Sequence, residues 1–80
     1  MKTKEIQLDN KKLLIKELLY LDVVGLTSIT DKKENTIKLL ELSGLTSEDI
    51  KDLTAKDGLA IIQAVNELNG FNVNVSSDFT

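Results

Sequence analysis

Two helix-start signals stand eight residues apart in LSGLTSEDIKDLTAKDGLAIIQAVNEL, residues 42–68: Thr46 with Asp49 three residues on, then Thr54 with Asp57 three residues on. A Thr just before a helix accepts a hydrogen bond from the amide three residues later, and an acidic residue there can bond back. Signals this close leave room for one short helix, 47–53. The chain must then turn a corner into a second helix, 55–69, which Gly70 ends. A helix of two turns does not hold itself in water, so both helices depend on a shared apolar core.

The rest of the chain supplies that core. Residues 31–43 read as a helix, with Ile37 and Leu40 on one face, Leu39 flanking and Gly44 past the end. Residues 47–53 would turn Ile50 and Leu53 inward. Near the N-terminus, TKEIQLDNKKLLIK alternates in a way that predicts a hairpin over 3–16. A two-residue loop at Asn10 and Lys11 sets Leu8 opposite Leu13 and Ile6 opposite Ile15 on one face. On the other face it sets Glu5 opposite Lys16 and Asp9 opposite Lys12, with Leu14 breaking the polar pattern.

Residues 16–26, KELLYLDVVGL, are densely apolar. They are expected to form a short buried helix over about 17–24 that ends near Gly25; a strand is the rival, because Val23 and Val24 are β-branched. The tail FNVNVSSDFT alternates Phe71, Val73 and Val75 against Asn72, Asn74 and Ser76. A short C-terminal strand through about Val75, or a frayed end, follows, with 76–80 loose. The expected fold is therefore α+β: one domain over residues 1–75, an N-terminal hairpin packed on three to four short helices.

Composition narrows the chemistry. The 80 residues contain no Cys and no His, which removes disulfides, thiolate nucleophiles, the commonest general base and the usual transition-metal ligands. All ten cations are Lys and the net charge is −3, which disfavours nucleic acid as a partner. The apolar run 13–26 is too short and too charged to span a bilayer, and the N-terminus has no apolar segment after its lysines. The chain is expected in the cytoplasm, without cofactor or metal.

Several apparent motifs dissolve on inspection. Ser47 with Lys51, and the carboxylates Glu48, Asp49 and Asp52, fall on one short helix, where a cap, a favourable helix dipole and solvent account for them. Residues 44–68 scan like a helix-turn-helix, yet the second helix offers bases only Lys56 among cations. An acyl carrier protein would need an Asp-Ser-Leu triplet, which is absent. No catalytic residue is expected.

The last helix carries the remaining signal. On a helical wheel Gly58, Ile61, Ile62, Ala64, Val65 and Leu68 fill one broad arc, and Leu59 lies beyond its edge beside Gln63 and Asn66. An arc wider than one core face is buried on two sides or leaves part for a partner. Leu59, Ile62 and Leu42, with Tyr20 at the rim, are the candidate contact residues.

The segment IKLLELSGLTSEDIKDLTAKDGLAIIQAVNELNGF, residues 37–71, resembles the small tail assembly chaperones of long-tailed bacteriophages. In that family an apolar helix runs into a Gly-Leu-Ser/Thr corner with acidic residues and a closing Leu, and a Thr-x-x-Asp start then opens a helix that ends before an aromatic residue. Leu42, Gly44, Leu45, Thr46, Glu48, Ile50, Leu53, Asp57, Ile61, Val65 and Phe71 occupy those places, and the N-terminal KEIQLDNKKLLIKEL is similar to the family's hairpin-like opening.

The resemblance implies a non-enzymatic binding role. Such chaperones coat the long helices of the tape measure protein in the bacterial host cytoplasm until tail tube protein polymerises around it, and they are absent from the finished particle. Many are also made in a form extended by a ribosomal frameshift. The alternative is a structural tail or connector subunit retained in the virion.

Overall fold

The computed structural model describes residues 2–9 and 11–71. Strands β1 (Thr3–Gln7) and β2 (Lys12–Lys16) form an antiparallel hairpin. Four helices follow: α1 (Tyr20–Thr27), α2 (Lys32–Leu42), α3 (Ser47–Lys51) and α4 (Ala55–Leu68). The fold is α+β, a two-stranded hairpin packed on short helices, as the alternation and the caps predict.

Helix α4 lies along the inner face of the hairpin. Lys56 Nζ comes within 3.9 Å of Asp9 at the hairpin tip, while Asn69, just past the helix, bonds Leu18 at the open end. Ile61 and Val65 of α4 and Ile15 of β2 are fully buried, and Leu8, Leu40, Leu45 and Ala64 complete the core. Each large side chain removed from water contributes roughly 1.5–3 kcal/mol, so this small set must offset most of the ordering cost.

The hairpin register differs from expectation. Ile6 faces Leu13, Lys4 faces Ile15, Glu5 faces Leu14 and Thr3 faces Lys16, a slip of two residues from the expected pairs. Leu8 N–H donates to the Lys11 carbonyl at 2.7 Å, so the reversal sits one residue earlier than Asn10 and Lys11. A two-residue slip keeps every side chain on its own face, so the apolar pattern could not separate the two registers. In the observed register Lys11 reaches Asp49 at 2.7 Å. Glu5 meets Lys12 diagonally at 3.9 Å instead of Lys16, and Asp9 meets Lys56 instead of Lys12.

The two sheet edges differ. Bonds from Glu17 N–H to Lys2 C=O and from Leu8 N–H to Lys11 C=O fix the alternation of the ladder, which turns the backbone groups of Thr3, Glu5 and Gln7 outward on β1 and those of Lys12, Leu14 and Lys16 outward on β2. On β2, Lys16 N–H donates to the Ser43 carbonyl at 3.0 Å. Ser43 itself is wholly buried, and its Oγ donates to the Leu39 carbonyl at 2.9 Å. Among the described residues no group bonds the outward edge of β1.

The expected helix 17–24 is corrected. Glu17 is held by the hairpin through its amide, and its carboxylate accepts from Lys2 N–H at 2.9 Å, so α1 begins only after Leu19. Gly25 does not end it: the helix continues to Thr27, and the Gly25 carbonyl accepts from both the amide and the hydroxyl of Ser28. Nor is α1 a buried helix. Only Leu26 is buried, since α1 packs chiefly on α2 and its apolar residues run all round its circumference.

Helices α3 and α4 start where their caps predict, α2 starts one residue later than expected because Asp31 caps it instead of joining it, and all three stop one or two residues early. Gly44 (φ +113°) and Gly70 (φ +73°) follow α2 and α4 in the left-handed region. Each builds a complete C-terminal cap: Leu45 N–H reaches Leu40 C=O and Gly44 N–H reaches Glu41 C=O, and Phe71 and Gly70 repeat this on Asn66 and Glu67. The expected C-terminal strand through Val75 lies outside the described residues.

Candidate functional site

The corner predicted from the sequence is built as a reciprocal cap. Thr46 Oγ1 accepts from Asp49 N–H and Asp49 Oδ2 accepts from Thr46 N–H, both at 3.1 Å. The other carboxylate oxygen of Asp49 receives Lys11 Nζ, which ties the α3 corner to the hairpin tip. The Lys11 contact, followed by the Thr46 amide, lowers the Asp49 pKa, and the bond to Asp49 raises that of Lys11. Thr54 Oγ1 accepts from Asp57 N–H at 3.2 Å and starts α4.

These polar contacts belong to the scaffold. Asp49, Asp52 and Asp57 border a hollow of about 240 Å³ with Leu8, Lys11 and Leu53. No group of three or more acidic residues among the described residues is placed to hold a metal ion. Ser47 and Lys51 both sit exposed on α3. No helix among the described residues is long and apolar enough to cross a membrane.

The four candidate contact residues fall in different places. Leu59 is 71% exposed and Tyr20 79%. Ile62, three residues beyond Leu59, is half-buried and packs against the core. Leu42, also half-buried, lines a groove of about 230 Å³ with Leu21, Gly25, Leu26 and Ile29. The structure thus joins Leu42 to the helix that carries Tyr20, while Leu59 and Ile62 of α4 do not line that groove.

Sequence reasoning missed the neighbours of Tyr20. Leu19, Leu21 (77% exposed) and Val24 also face solvent, so most of the exposed large apolar side chains fall within one six-residue stretch. The signal was the apolar density of 16–26, which was assigned to burial. Two asparagines escaped notice as well. Asn69 Oδ1 accepts from Leu18 N–H at 2.6 Å while its Nδ2 donates to Val65 C=O at 2.7 Å, and Asn35 Nδ2 donates to Leu26 C=O at 2.7 Å. These two side chains tether both ends of the segment that displays the apolar patch.

No family model, curated protein or solved structure matches the chain.

Proposed function

We propose that this chain is a non-enzymatic tail assembly chaperone of the kind long-tailed bacteriophages make, one that holds helices of the tape measure protein in solution before the tail tube forms. The observation that carries the proposal is the apolar surface on α1. Leu19, Tyr20, Leu21 and Val24 stand in solvent on a small acidic domain, fixed from both ends by Asn69 and Asn35. Exposed apolar residues gathered on one short helix favour a binding role. The resemblance over residues 37–71 supplies the client, and an amphipathic helix is the shape such a surface receives.

The test is a pull-down with N-terminally tagged protein from a host in which phage or prophage tail genes are induced. Tape measure protein should be recovered by the native bait. Tyr20→Asp and Leu59→Asp should each reduce recovery at least tenfold with an unchanged far-UV circular dichroism spectrum, since burying a large apolar side chain is worth roughly 1.5–3 kcal/mol. Recovery of particle subunits alone, with the chain present in finished virions, would replace the proposal with the structural-subunit reading. Undiminished recovery with a folded Tyr20→Asp bait would overturn the proposal.

A further inference from the structure

A hollow larger than the two described above shares Leu53 with the one that Asp49, Asp52 and Asp57 border. It is a groove of about 970 Å³ between α2 and α3, open to solvent, with Ile37, Leu40, Ile50 and Leu53 as its floor. Leu40 is buried, and Ile50 and Leu53 lean half-buried on the core. Ile37 is also half-buried and lines the groove without being packed on the core.

The rim is polarised. Lys32 and Lys33 stand at the N-terminal end of α2. Glu41 stands at the other end, and α3 sets out from there with Glu48 in its first turn and a third cation, Lys51, in its last. The separation along α2 from Lys32 to Glu41 is about 14 Å at 1.5 Å per residue, between two and three turns of a helix. An apolar floor of this length, opposite charges at its two ends and an open roof match the requirements of a helix lying in a groove. A compact small molecule would leave both charged ends unused.

We infer that the α2–α3 groove is a docking site for an amphipathic helix from another protein, with apolar residues on one face, carboxylates at the end that lies over Lys32 and Lys33, and ammonium groups at the end that lies over Glu41 and Glu48. The polarity fixes how such a helix sits, because a helix laid the other way meets like charge at both ends. The inference holds whatever protein supplies the helix, and its test uses purified components, so its failure leaves the tape-measure proposal standing on its own pull-down.

The probe is a stapled synthetic helix of about fourteen residues with Leu at helical spacing on one face, two Glu at one end and two Lys at the other. A control peptide keeps the Leu face and carries Lys at both ends. Methyl NMR titration of the full chain should move Ile37, Ile50 and Leu53 and bind the control about tenfold more weakly. Lys32→Glu with Lys33→Glu should reverse that preference, and acidic residues in a first helical turn keep α2 folded. Ile37→Asp should abolish binding of both peptides.

Saturation absent up to about 1 mM, shifts confined to Leu21 and Val24 of α1, or indifference to the charge swap would overturn the inference. So would contacts from residues 72–80 to Ile37 in the free protein, or a dimer in sedimentation that Ile37→Asp dissociates, since either assigns the groove to this chain.

Discussion

Replacing Asn69 with Ala tests how α1 is held to the rest of the protein. The amide bridges two elements: its oxygen takes the Leu18 N–H at 2.6 Å and its nitrogen gives to Val65 C=O at 2.7 Å. Only this orientation of the amide satisfies both partners, because an N–H needs the oxygen and a carbonyl needs the nitrogen. A neutral hydrogen bond contributes about 1 kcal/mol net, and the half-buried Leu18 amide would be left with no protein partner, so Asn69→Ala should cost roughly 2–3 kcal/mol.

A domain of this size has roughly 4–12 kcal/mol in all. Each kcal/mol moves the midpoint of so small a domain by about 4–8 °C, so the melt should fall by at least roughly 8 °C. Circular dichroism melts, with urea unfolding for the free energy, measure it. Amide exchange should also rise across 18–27 more than in α4, because the lost bond is the one that reaches α1. Asn69→Asp should not rescue: it keeps the acceptor for Leu18 but sets a carboxylate against the Val65 carbonyl at a helix C-terminus, where negative charge is unfavourable. A midpoint shift under about 2 °C for Asn69→Ala, or full rescue by Asp, would refute the tether.

Thr46→Ala removes one arm of the reciprocal cap and should cost about 1 kcal/mol by urea unfolding. The two glycines near α1 and α2 should respond with opposite signs. Gly25→Ala sits in a helix with open space around the added methyl and should stabilise by roughly 0.5–1 kcal/mol, whereas Gly44→Ala, at φ +113° with Leu14 O 3.4 Å from the new Cβ, should destabilise by about 1 kcal/mol or more. Both are read from thermal melts. Because the folded pKa of Asp49 is depressed, its contribution is complete above the ordinary carboxylate value near ~3.9 and is lost as pH falls through the lower folded value. Asp49→Asn should flatten that acid limb in melts taken across the range.

The parts legible in the sequence were those fixed by local chemistry. Thr46, Thr54, Gly44 and Gly70 set helix ends through groups within five residues of themselves, so their roles follow from spacing alone. The hairpin was legible as a hairpin but not in its register, since both registers put Ile6, Leu8, Leu13 and Ile15 on one face and the tertiary contacts that accompany the observed one, such as Lys11–Asp49, span as many as 38 residues. Helix α1 was misjudged for a related reason. Apolar density shows what a segment could bury, and only the tertiary arrangement shows that nothing among the described residues covers Tyr20 and Leu21. The charge polarity of the α2–α3 groove was equally invisible, because it arises from how two helices 15 residues apart in their starts come to lie together.

Ser43 has a bearing on assembly. By taking the Lys16 amide, the end of α2 occupies one outward group of β2, beside Gly44, which lies close to the Leu14 carbonyl. Growth by strand addition needs two open sides, one to receive and one to offer. Among the described residues this sheet has β1 open along its length and β2 open only in part. Two copies meeting through β1 would make a four-stranded sheet whose outer strands each have one amide already taken by Ser43, which disfavours growth into a fibre.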